Sequence, residues 1–167
     1  MRGLVYVMLG LFGLWLQVTL AGTLAVGGIR PNLVLLVLLA AGLRWQDPWV
    51  FIFGALVGLA MDSFSHGYLG VYGISYLVAA VLARATGKAI NEQNVVLNFF
   101  LVLVLSLAEG MISLGLFNYM DEDLPWWRWL FTRVLPGSFY TALLAPVFFP
   151  LLIFLERRLK LSAPELE

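Results

Sequence analysis

Charges divide this chain into six apolar runs, 3–24, 31–43, 48–61, 67–83, 93–117 and 134–155. Such runs constrain the fold through the backbone. In hydrocarbon every N–H and C=O must be paired within the protein, so a long apolar run reads as a spanning helix. The run 3–24 carries no charge and makes about 33 Å of helix against a hydrocarbon core of about 30 Å. The first, fifth and sixth runs are long enough to span. The second and third cover only about 20 Å each unless their flanks contribute. Arg30 and Arg44 can snorkel, and Trp45 and Trp49 suit an interface. Alternatively, the two runs form a short or re-entrant hairpin around Gln46, Asp47 and Pro48; both arrangements return the chain to the same side. The expected fold is an all-α integral membrane protein. It is a bundle of about six transmembrane helices in a single domain, 1–167, with spans near 3–24, 31–44, 48–62, 67–84, 94–117 and 134–155.

Composition excludes several function classes. The chain is 62% hydrophobic and 12% charged, with mean hydropathy +0.93, far outside the range of a soluble domain. The longest stretch between runs, 118–133, is too short for a soluble catalytic core. A formal net charge of zero, with the basic residues scattered, argues against nucleic acid as a partner. The chain contains no cysteine, which removes disulfides, Fe–S centres and thiol chemistry. Its one histidine, His66, has no second His and no Cys to complete a metal site, and reads as an interfacial residue. There is no P-loop, Rossmann fingerprint or nucleophile elbow, so no cofactor is expected. The first run exceeds the apolar region of a signal peptide and is read as a retained span.

Orientation follows from the basic residues. With a cytoplasmic N-terminus and six spans, Arg2, Arg44, Arg84, Lys88, Arg157, Arg158 and Lys160 lie inside and Arg30, Arg128 and Arg133 outside. Both termini are then cytoplasmic. The outside segment 118–133 pairs Asp121, Glu122 and Asp123 with Trp126, Trp127 and Trp129, a pattern suited to the outer headgroups or to a docking partner.

The stretch 54–73 departs most from plain membrane helix. Gly54, Gly58 and Asp62 fall at i, i+4 and i+8, one helix face that is small and then charged. A carboxylate facing lipid at the bilayer centre would cost about 2.5–3.5 kcal/mol, so Asp62 is expected to face protein or water. The plainer reading makes the glycines ordinary packing residues and Asp62 a helix cap at the membrane surface. In the fifth run Glu109 sits between Ser106 and Gly110, either a functional carboxylate or a structural hydrogen bond to a neighbouring helix. Pro146 and Pro150 favour kinks in the last span. The segments GGIRP and GVYG are turn signals.

These residues together resemble the MreD family of rod-shape-determining membrane proteins. The matching features are Arg30-Pro31-Asn32 at the start of the second run, the G-x-x-x-G-x-x-x-D pattern of Gly54, Gly58 and Asp62, and the turn bearing Gly67 and Gly70. The resemblance implies a non-enzymatic subunit of the bacterial cell-elongation machinery in the cytoplasmic (inner) membrane. It also implies MreC as a partner, with MreB, the glycosyltransferase RodA and a class B penicillin-binding protein in the same complex. The family is similar in fold to the S components of energy-coupling-factor transporters.

The leading functional expectation is a scaffold that binds partner transmembrane helices, with Pro31, Asn32, Gly54, Gly58, Asp62, Gly70 and Glu109 as helix-packing or partner-binding residues. The alternative is an S-component-like substrate-binding subunit of a vitamin transporter, with Asp62, His66 and Glu109 near a polar cavity. Against it, the outside half offers few polar groups. An intramembrane hydrolase using Asp62 and Glu109 is the third reading.

Overall fold

The computed structural model describes residues 2–20, 22–45, 48–65, 68–87, 94–120 and 125–158. His66, Gly67, Asp47, Lys88, Lys160 and the acidic trio of Asp121, Glu122 and Asp123 lie outside them. The helices are α1 (Arg2–Thr19), α2 (Leu33–Trp45), α3 (Trp49–Phe64), α4 (Val71–Thr86), α5 (Val95–Met120), α6 (Trp126–Trp129) and α7 (Leu135–Arg158). A π-helical stretch, Leu130–Val134, joins α6 to α7 without a break. The described residues therefore make six helical rods and no strand.

α2 is the axis of the bundle. It is apolar around its whole circumference, which is the pattern of a helix buried on all sides, and residues 33–43 are all buried. α1, α3, α4, α5 and α7 all pack against it. By contrast, α5 and the rod Trp126–Leu151 are each long and apolar enough to cross a membrane, and only 28% of each stretch is buried within the bundle. That share is too low for core helices of a soluble domain.

α3 and α4 form the most extensive helix pair, and glycine is the reason they come so close. A Cβ at Gly54 would stand 2.8 Å from the Tyr76 carbonyl oxygen and 3.0 Å from the Ala80 methyl. At Gly58 it would meet the Tyr72 carbonyl and lie 2.7 Å from the Gly73 Cα. Backbone cannot yield as a flexible side chain can, so these two positions hold the helix separation.

Several boundaries differ from the hydropathy reading. α1 stops at Thr19 rather than Leu24. Beyond it the Thr23 hydroxyl donates to the Leu20 carbonyl, and Gly27 and Gly28, at φ +60° and +83°, close a turn bridged between Val26 and Ile29. Two successive positive φ values define a type I′ turn, open to glycine at both places. α5 runs on to Met120. The tryptophan segment is helical and opens the last rod, with Trp126, Trp127 and Trp129 exposed. As the hydropathy reading had it, the last span runs through Pro146 and Pro150.

Substituting Gly58→Ala should destabilise the folded bundle by about 1–3 kcal/mol or more, the usual cost of overpacking. Gly115→Ala, where a Cβ meets nothing within 4 Å, should cost nothing measurable; thermal unfolding of the two purified variants makes the comparison.

Candidate functional site

The C-terminal parts of α1, α3 and α5 meet the N-terminal parts of α2, α4 and α7 at one end of the bundle, where most of the buried polar side chains gather. The cause lies in the backbone. The first N–H groups of a helix have no partner within it, and α2 is buried from Leu33 onward. Asn32 caps that helix, its Oδ1 accepting from the Leu35 N–H at 3.0 Å and from the Tyr76 hydroxyl at 2.8 Å. Gln17 of α1 reaches across, its Oε1 accepting from the Leu33 N–H at 2.7 Å while its Nε2 donates to the Pro31 carbonyl at 3.3 Å. The Asn32 N–H donates to the Thr141 hydroxyl of α7 at 3.0 Å.

α4 is capped from its neighbour. Gly70 precedes it at φ +97°, a conformation that costs other residues about 1–2 kcal/mol. This bend turns three backbone donors toward Asp62, which is 2% exposed. The carboxylate accepts from Gly70 N–H at 2.9 Å, Tyr72 N–H at 3.0 Å and Gly73 N–H at 3.1 Å. The small-then-charged face of α3 is thus closed against α4 along its length.

Glu109 lies on a different network. Ser106, Glu109 and Ser113 are spaced i, i+3 and i+7 on one face of α5 and all are buried. The Ser113 hydroxyl is 2.7 Å from Glu109 Oε1 and 2.9 Å from the Ser75 hydroxyl, which itself donates to the Val71 carbonyl at 2.7 Å. The Ser106 hydroxyl has no hydrogen-bond partner in the protein. Leaving such a buried group unpaired costs about 1–3 kcal/mol.

A cavity of about 200 Å³ opens beside this face. Ser106, Glu109 and Ser113 line its buried side, Asn32, Tyr72 and Thr141 its flanks, and the exposed Arg30 and Arg133 its open side. Trp129, beneath the Arg133 guanidinium at 5.2 Å, and Phe117 complete the wall. Of the residues singled out from sequence, Asn32 and Glu109 border the cavity, whereas Gly54, Gly58, Asp62 and Gly70 belong to the α3–α4 seam and Pro31 to the start of α2. Tyr72, Ser106, Arg133 and Thr141 were not among the expected site residues. Only the Ser106, Glu109, Ser113 spacing signalled such a face in the sequence. Among the described residues no three His, Cys, Asp or Glu side chains come together as a metal site would need.

Helices with apolar exteriors, joined at one end by buried polar caps, define a membrane-associated helical bundle. The chain belongs to the rod shape-determining protein MreD family, whose sequence pattern matches residues 1–159. Membership gives it a role in rod-shape determination, in a family of shape-determining structural components rather than of known enzymes. No curated protein and no solved structure matches the chain.

Removing the cap of α4 should be costly in a graded way. Hydrogen bonds to charged groups contribute about 1.5–3 kcal/mol each. Asp62→Ala, which strands three donors, should lower the thermal midpoint most. Asp62→Asn keeps one acceptor oxygen and should fall between Asp62→Ala and the wild type.

Proposed function

We propose that this protein is a non-enzymatic scaffold of the cell-elongation machinery: a six-span bundle in the bacterial cytoplasmic membrane, with both termini cytoplasmic, that binds MreC. It helps link MreB to RodA and a class B penicillin-binding protein and so helps position the enzymes of peptidoglycan synthesis. Beside the family membership, one structural observation carries this reading. Leu11, Trp15 and Val18 on α1, and Ile52, Leu56 and Leu59 on α3, form stripes at i, i+4 and i+7 that stay exposed. Such faces suit lipid or a partner's transmembrane helix. A rigid α3–α4 seam beneath the α3 stripe gives that face a fixed shape, which a scaffold needs.

One observation favours the second reading, an S-component-like transporter subunit: the cavity offers more polar groups than the sequence promised. Affinity purification of the tagged chain from native membranes in mild detergent separates the two. The scaffold reading expects a single-span periplasmic coiled-coil protein together with cell-wall polymerases. Recovery of a transmembrane coupling subunit with ATPases would contradict it. Gly58→Leu, inserted normally but with the seam opened, should lose those partners and rod shape together.

A further inference from the structure

Three features of the cavity bear on what it can hold. Its buried side ends in the Ser106 hydroxyl, 2% exposed and without a protein partner, next to the Glu109 carboxylate. A hydroxyl and a carboxylate on that side can accept from, or share, the hydroxyl groups of a ligand. Its open side carries two guanidinium groups, Arg30 and Arg133, with no carboxylate partner among the described residues. Guanidinium groups match the oxygens of a phosphate in geometry and charge. Its size, about 200 Å³, lies below the roughly 300–1,000 Å³ of drug-sized sites, so only a small group fits.

The surroundings fix the depth. Trp126, Trp127 and Trp129 are exposed at the start of the rod that supplies Arg133, and tryptophans of that kind settle at the headgroup level of a bilayer. The backbone donors at the starts of α2 and α4 are already taken by Gln17, Asn32 and Asp62. Recognition therefore falls to the side chains.

We propose that this cavity is a binding site for a phosphate ester bearing free hydroxyls, the phosphate between Arg30 and Arg133 and a hydroxyl reaching Ser106 and Glu109. A glycerol phosphate group meets each requirement, and it is available either as the headgroup of phosphatidylglycerol or as free glycerol 3-phosphate. The site stands independently of the scaffold reading, because it rests on the cavity and not on any partner protein.

The test uses the full chain in phosphatidylcholine nanodiscs, followed by thermal unfolding. One set of discs is doped with phosphatidylglycerol, and another is bathed in sn-glycerol 3-phosphate. A ligand of the folded state raises the midpoint, and a rise of several degrees is expected with at least one probe. A rise with phosphatidylglycerol alone identifies the lipid as the source, a rise with the free ester alone identifies the soluble form, and a rise with both identifies the glycerol phosphate group that they share. Ser106→Ala removes an unpaired buried hydroxyl, so its midpoint in plain discs should be no lower than wild type, yet the probe should no longer move it. Arg133→Gln should lose the shift too, and Arg128→Gln, which does not line the cavity, should keep it. The proposal is overturned if neither probe moves the wild type, or if a probe moves wild type and Ser106→Ala alike, as bulk surface charge would.

Discussion

The buried start of α2 is the constraint around which the rest of the structure is arranged. A helix of 13 residues makes only about 20 Å, so its end falls within the bundle and its first N–H groups face protein. An unpaired backbone donor there would cost several kcal/mol. The remedy draws on three of its neighbours and on its own cap: Gln17 from α1, Tyr76 from α4, Thr141 from α7 and Asn32 from α2 itself. Each of these bonds fixes the rotation of one helix about α2. The polar end of the bundle is thus first a means of satisfying backbone, and the cavity lies where the same helix ends diverge.

A second short helix meets the same difficulty by another route. α4 starts inside the bundle, and its donors are taken by a carboxylate from α3 rather than by its own cap. That arrangement requires the two helices to touch, which Gly54 and Gly58 permit. Close packing and capping therefore support one another: opening the seam would withdraw Asp62, and losing Asp62 would free the start of α4. Rigidity at this seam leaves the outer faces of α1 and α3 as stable apolar surfaces toward lipid or partner.

How much of this the sequence disclosed depends on the range of the interaction. The i, i+4, i+8 spacing put Gly54, Gly58 and Asp62 on one face, and periodicity is enough for that because it is a property of one helix. The apolar run extends past the end of α1 because hydropathy does not separate helix from the turn backbone at 22–24, which is made of Gly22, Thr23 and Leu24. The charge and tryptophan pattern of 118–133 marks an interfacial segment but does not show that its described part is helix continuous with α7. The cavity was the least legible feature. Arg30, Tyr72, Ser106 and Arg133 come from separate elements, and no spacing within one run reveals which faces will meet. For the same reason the sequence sets Glu109 near Ser106 without revealing that Ser113 joins it to Ser75 of α4.

A short helix, α2, lies at the axis of the bundle, sealed from lipid by its neighbours. Photolabelling the protein in a bilayer with a membrane-dissolved diazirine, read residue by residue by mass spectrometry, tests it directly. The account predicts label on Leu11 and Trp15 of α1 and on Ile52, Leu56 and Leu59 of α3, all exposed, and none on residues 33–43 of α2. Label distributed along α2 at the level seen on α3 would contradict it.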